Sequence, residues 1–479
     1  MKISIENFKS IKLLKDFELK PLTILSGINS SGKSSFIQLL LLIKQTLDHD
    51  SAKNQLFLKG DHYEINEFKD IISGKNFENK LKIIFEFTKE EDILFNSQDR
   101  QTIFDSFDTY LIRISVAFDY IGEKIVITDF MITYVLPAGD KREQFVKFKT
   151  IHGEKDNFSI EANNLIFGNE LWGPSPNITD LVYSSIFPTW YEITETEISE
   201  STKKDQKAIK QEKVNRYLPK IAGIKSMLDN KFASFSYIGP LREQPKDEYA
   251  LTSQKRHVGK LGQFTAQILE NFADESIEFM KPIFSEDEVT YKIEKSTLLV
   301  AVKYWMCDVF KIGVDIYAKK NGDSVSVFLQ NEGGIETTIK HVGFGISQIL
   351  PIVVEGLIME RNRTLILEQP EIHLHPKIQS LLFDFLYSLI LNKKNIIIET
   401  HSDHFITRMR RRVAESRQEG FVDNVSLTFI DTDKGEVLFE IIELDDMGTL
   451  DYFPDDFIEQ SNLELKAIVR AQMRKRTQK

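Results

Sequence analysis

The chain has 479 residues, 42% hydrophobic and 28% charged, enough for about two to four domains with full cores and too apolar for disorder. Its formal net charge of −11 disfavours nucleic-acid binding by the surface as a whole. One cysteine, Cys307, excludes a disulfide framework and a multi-cysteine zinc site and fits a reducing, cytoplasmic setting. No stretch of about 18 uninterrupted apolar residues occurs, and the opening MKISIENFKSIKLL alternates like a strand, so neither a membrane span nor a signal peptide is expected.

Residues 1–48 read as strand, turn, strand, glycine-rich loop, helix: KISIENF, FELKPLTILSG, INSSGKSS and FIQLLLLIKQTL. The loop Gly27-Ile28-Asn29-Ser30-Ser31-Gly32-Lys33-Ser34 fits G-x-x-x-x-G-K-[ST] without mismatch, between a strand and a helix as the mechanism requires. Its backbone N–H groups would converge on phosphate oxygens at a helix N-terminus. Lys33 would reach the β- and γ-phosphates, and Ser34 would offer its hydroxyl to Mg²⁺.

From 55 to 150, LKIIFEFT, YLIRISVAFDY and KIVITDFMITYVL predict an antiparallel sheet. The charge-dense ITETEISESTKKDQKAIKQEK at 193–213 is expected as a solvated helix or loop. Residues 213–229 predict an amphipathic helix interrupted near Pro219. A block from 232 to 335 mixes strand and helix signals and contains YIGPLREQPKDEY. From 340 to 430 come GFGISQILPIVVEGLIME, TLILEQPE, HPKIQSLLFDFLYSLIL, NIIIETHS and DHFITRMRRRVAES. That alternation of helix and strand means βαβ units and a parallel sheet.

Four segments of this last region carry chemistry. Gly343, Gly345 and Ser347, ahead of an apolar helix expected to break at Pro351, offer N–H groups at a helix start, a second anion site. Glu368 ends a buried strand and can hold Mg²⁺ through water. Gln369 stands where a base for the attacking water is needed; a carboxamide orients water but cannot take its proton, so hydrolysis should be slow unless Glu371 does so. Glu371 reads equally well as a negative charge at the N-terminus of the next helix, with His373 and His375 flanking that helix as caps. His401 ends another parallel strand, where it can hydrogen-bond a γ-phosphate. Arg408, Arg410, Arg411 and Arg412 cluster, and Leu463 to Lys479 holds six basic groups and one acidic, either a phosphate-tracking segment or a solvated helix.

Taken together, GINSSGKSS, VGFGISQ, LILEQPEIHLHP and ETHSDH resemble the ABC-type ATPases of the SMC, RecF and OLD group, and among them the stand-alone bacterial defence ATPases of the Septu PtuA kind. YIGPLR and HVGKLGQ look like the same subgroup. The resemblance covers the first 50 residues and about 235 to 455, more weakly between. It implies an α/β P-loop ATPase head, a mixed sheet with a parallel core flanked by helices, with an inserted α+β lobe. It further implies a head-to-head dimer in which residues 27–35, Ser35 included, and Glu368 of one subunit hold ATP and Mg²⁺, closed by Gly343 to Gln348 of the other. His401 matches the switch histidine, and residues 373–376 match a segment that crosses the dimer interface. Gln369 departs from the usual catalytic glutamate, and the glycine-serine turn lacks the LSGGQ spelling of a transporter subunit.

Lys33 and Glu368 are 368 − 33 = 335 residues apart yet must meet around one cation, so about 200 residues are expected to leave and rejoin the head. The expected divisions are 1–150 and 336–479 for the two parts of the head and 151–335 for the lobe. Too few residues follow His401 for an OLD-type TOPRIM nuclease, so a separate effector, a nuclease or toxin, is the expected partner. The other readings are an ATP-gated scaffold with little turnover and a RecF-like repair ATPase that binds DNA through the basic C-terminal segment.

Overall fold

The computed structural model describes residues 1–28, 31–49, 56–75, 79–88, 111–121, 124–135, 144–151, 157–162, 178–199, 208–251, 255–285, 288–416, 420–433 and 435–452. They divide into two compact units, Met1–Glu18 with Ser35–Ser234, and Leu19–Ser34 with Phe235–Lys479.

The first unit is built on a seven-stranded antiparallel sheet in the order Ile11–Glu18, Lys2–Phe8, Leu81–Thr88, Leu111–Ile121, Lys124–Val135, Gln144–Ile151, Asn157–Ala162. Leu81–Thr88 shows why: Leu81, Ile83, Phe85 and Phe87 are buried and alternate with partly exposed residues, the period of a strand with one covered face. Phe85 meets Phe232 edge-on at 5.7 Å, and Phe232 belongs to the helix Pro219–Ala233. Pro219 starts this helix rather than interrupting one, since at the first helical position its missing N–H costs nothing.

The described parts of the polar run, 193–199 and 208–213, are strands rather than helix or loop. Phe187–Ser199 and Ala208–Tyr217 pair antiparallel, with Ile178–Ser184 on the far side of Phe187–Ser199. Ile193, Thr194, Thr196 and Ile198 favour a pleated backbone, and the register sets Glu197 opposite Lys210. The unit boundaries fall after Glu18, Ser34 and Ser234, where the sequence reading draws them at 150 and 335. The sheet runs on through Gln144–Ile151 and Asn157–Ala162, whereas Phe235–Ile238 already belongs to the other unit.

The second unit holds a six-stranded sheet in the order Phe235–Ile238, Thr364–Glu368, Asn395–Glu399, Leu22–Gly27, Val425–Asp433, Glu436–Ile442. Its first five strands are parallel and the last antiparallel. Helices Phe344–Ile358, Pro376–Leu391 and Asp403–Glu415 connect the parallel strands as the alternation requires. Smaller sheets of Tyr249–Ala250, Ser324–Gln330 and Asp315–Asn321, and of Ser276–Phe284 with Val289–Thr297, complete the unit. This is the mixed α/β fold of a P-loop ATPase head.

Phe344–Ile358 is continuous through Pro351, against the expected break. Proline at that position removes only the bond to the carbonyl four residues earlier, at the start of the helix. The far end is tied down: Lys394 Nζ donates to the Gly356 and Leu357 carbonyls at 2.7 and 3.1 Å, and Glu355 accepts from Val258 N at 2.8 Å. His375 caps Pro376–Leu391 by accepting from Lys377 N, with Pro376 at the first position. No helix among the described residues is long and apolar enough to cross a membrane.

Candidate nucleotide site

The glycine-rich loop leaves the C-terminal end of Leu22–Gly27, a strand buried at every position. Gly27 is fixed by packing: its φ is 141°, and a Cβ there would lie 2.0 Å from the Ile430 carbonyl oxygen of the neighbouring strand. Gly32, with φ 103°, turns the chain into Lys33–Asp48, whose N-terminus faces the loop and favours an anion. Asn29 and Ser30 lie outside the described residues. Ser31 is buried, and its Oγ has no hydrogen-bond partner among the described residues. Lys33 is buried and donates from Nζ to the carbonyls of Gly27 at 3.1 Å and Ile28 at 2.5 Å. Burial lowers its pKa, with Glu399 pulling the other way. The Ser35 hydroxyl meets that of Ser10 at 3.2 Å.

Two neighbouring strands end in carboxylates at the same register, Glu368 opposite Glu399. The strand of Glu399 lies between that of Glu368 and that of the loop. Ser34 Oγ donates to Glu399 Oε1 at 3.0 Å. Glu368 is directed elsewhere, its Oε1 accepting from Tyr237 Oη at 2.9 Å. Burial raises both carboxyls, and Glu399, further opposed by the charge of Glu368, is pushed up to about 7.

Gln369 takes a left-handed φ of 43°, and its N–H donates to the Glu399 carbonyl at 2.7 Å. Buried Arg242 clamps this turn, donating to the carbonyls of Gln369, Pro240 and Glu368 at 3.3, 3.2 and 3.4 Å. Burial lowers the Arg242 pKa to about 10. Glu371 Oε1 accepts from His401 N at 2.8 Å, which ties it to the end of Asn395–Glu399, five residues before the helix Pro376–Leu391. Burial raises its carboxyl as well. Burial, followed by the charge of Lys33, lowers the His401 pKa, with the Gly27 backbone pulling the other way. His401 therefore sits beside the glycine-rich loop.

Gly343 is the N-cap of Phe344–Ile358, so Gly345 and Ser347 fall in the first turn of the helix rather than in a turn before it. Gly345 approaches the segment after the Glu368 strand, where a Cβ would stand 3.5 Å from the His373 carbonyl. The arginine cluster is not a free basic patch. Arg408 and Arg412 converge on buried Asp384 at 2.6 and 2.7 Å, Arg411 pairs with Glu415, and Arg410 Nε donates to the Gly448 carbonyl at 2.8 Å. The basic segment Leu463 to Lys479 lies outside the described residues.

Sequence reasoning missed Glu399, Tyr237 and Arg242. The signal for Glu399 was present, since NIIIE and TLILE each end a parallel strand in glutamate. The partnering of Tyr237 and Arg242 is long-range and no spacing encodes it. Among the described residues no three His, Cys, Asp or Glu are arranged to hold a metal unaided. One serine hydroxyl and buried carboxylates are hard oxygen donors that fit Mg²⁺ delivered with a nucleotide.

Among solved structures, the SMC head bound to the C-terminal winged-helix domain of ScpA is 10% identical, covers 92% of this chain and 98% of its own, and has a TM-score of 0.42. The SMC head domain from Thermotoga maritima is 9% identical over 93% and 98%, with a TM-score of 0.33. The Pyrococcus furiosus SMC head with an extended coiled coil, bound to the C-terminal domain of ScpA, is 10% identical over 92% and 96%, with a TM-score of 0.41. No functionally curated protein matches the chain. The family model described as "AAA ATPase domain" matches residues 1–406, and the chain belongs to that family.

Proposed function

We propose that this protein binds ATP with Mg²⁺, dimerises head to head on the nucleotide and uses its nucleotide state to control a separate effector, a nuclease or toxin, in cytoplasmic anti-phage defence or DNA maintenance. The observation that carries the ATPase part is the meeting of Lys33, Ser34, Glu368, Glu371, Glu399 and His401 at one edge of a parallel sheet, around a glycine-rich loop at a helix N-terminus. The ABC-type head, the lack of an LSGGQ spelling and the closeness to Septu ATPases belong to the same reading.

In this mechanism the loop N–H groups from Gly27 through Ser34 cradle the phosphates, and Lys33 exchanges its loop carbonyls for phosphate oxygens. Mg²⁺, when bound with the nucleotide, neutralises charge on the β- and γ-phosphates. Ser34 and Glu368 sit on the cation's side. Gln369 orients the attacking water, Glu371 takes its proton, and His401 hydrogen-bonds the γ-phosphate. Gly343, Gly345 and Ser347 of a second copy close the site.

Gln369 favours slow turnover and gives weight to a second reading, an ATP-gated scaffold that dimerises with little hydrolysis. Steady-state ATPase rates of wild type, Lys33→Ala and Gln369→Glu separate the two. The ATPase reading expects wild type to exceed Lys33→Ala by at least about tenfold. A wild type no faster than Lys33→Ala, with activity gained in Gln369→Glu, would leave the scaffold.

A further inference from the structure

The carboxylate that meets the phosphate-loop serine is not the one the sequence points to. Ser34 Oγ donates to Glu399 at 3.0 Å, while Glu368 accepts from Tyr237 at 2.9 Å. We propose that Glu399 is the residue that positions Ser34 for the nucleotide's divalent cation and supplies a carboxylate oxygen to that cation's surroundings. This rests on the ATP-binding reading above and refines it.

Three independent observations support the assignment. Glu399 occupies the strand adjacent to the loop strand, whereas the strand of Glu368 is one further away. With Ser34 Oγ donating its proton to Glu399 Oε1, the hydroxyl lone pairs are left for a cation. Glu399 is only 4% exposed, and its second oxygen, Oε2, is buried without a hydrogen-bond partner among the described residues.

A buried carboxylate oxygen with no donor is costly. A divalent cation is the kind of group that satisfies such an oxygen. The backbone holds the residue in place from both sides. Gln369 N–H donates to the Glu399 carbonyl at 2.7 Å, and Thr400 N–H to the Leu25 carbonyl at 3.0 Å.

The test uses the full chain and equilibrium binding of a fluorescent, non-hydrolysable ATP analogue, titrated with Mg²⁺ and again in EDTA. The quantity read is the gain in affinity that Mg²⁺ confers. Glu399→Gln keeps the shape and an acceptor for Ser34, and it should retain the EDTA affinity while losing about tenfold of the Mg²⁺ gain. Ser34→Ala should lose a similar share, and Ser34→Ala/Glu399→Gln no more than the worse single variant, because the two act as one unit.

A Glu399→Gln protein that keeps the full Mg²⁺ gain overturns the assignment, as does additivity in the double variant. If Glu399→Gln does not fold, Glu399→Asp serves in its place. A shorter carboxylate should cut the gain by about tenfold, and an unchanged gain contradicts the proposal. Failure of the ATP-binding reading is separately visible, since wild type would then bind the analogue no better than Lys33→Ala.

Discussion

Gly27 is the residue at which local geometry dictates identity most sharply. With φ at 141° and the Ile430 carbonyl oxygen 2.0 Å from a would-be Cβ, no side chain fits without parting the loop strand from Val425–Asp433. Gly27→Ala should destabilise the second unit by about 3 kcal/mol or more, read as a fall in the denaturant midpoint. A midpoint within error of wild type would show that the two strands can separate at little cost. By contrast Gly343 has no atom within 4 Å of an added Cβ and a negative φ. Gly343→Ala should therefore leave the fold unchanged, and a loss of nucleotide-driven dimerisation in that variant would be a functional effect.

At the scale of elements, the helix Phe344–Ile358 shows how buried charge holds the site's frame. Lys394 fills the last-turn carbonyls of that helix, and burial lowers its pKa to about 7. Between about 7 and its ordinary 10.5 the unfolded chain binds more protons than the folded one, so this residue's contribution to stability grows as pH rises through that window. The stability difference between wild type and Lys394→Met should therefore shift in favour of wild type by about 1–3 kcal/mol from pH 6.5 to pH 9. A difference that does not change with pH would mean that Lys394 titrates normally.

The arginine cluster belongs to this scale too. Asp384→Leu strands Arg408 and Arg412 without their shared partner and should cost about 3–5 kcal/mol in chemical unfolding. A cost near zero would mark the pairs as dispensable. These elements also show what the sequence makes legible. Strands such as Thr364–Glu368 and Asn395–Glu399 are continuous apolar runs with glutamate at the end, and the helices between them are equally plain. The hairpin Phe187–Ser199/Ala208–Tyr217 was not legible, because its charge density hides a β-branched periodicity that counts only once the two strands pair. Tyr237, Arg242 and Lys394 owe their roles to partners brought close by the fold rather than by spacing.

For the whole molecule, the head is discontinuous. Leu19–Ser34 contributes the loop strand and the loop, and the chain then spends Ser35–Ser234 in another compact unit before Phe235 returns. The strands from Leu81–Thr88 to Asn157–Ala162 lie in that compact unit, across the expected division at 150. The central claim, that the returning strands and the early loop together make one ATP site, is tested most directly by calorimetric titration of the full chain with ATP and Mg²⁺, beside Lys33→Ala. Wild type should bind one nucleotide per chain, and Lys33→Ala should bind at least about tenfold more weakly, the loss of one charge-assisted contact. Equal affinity in the two proteins, or no binding by wild type, would contradict it.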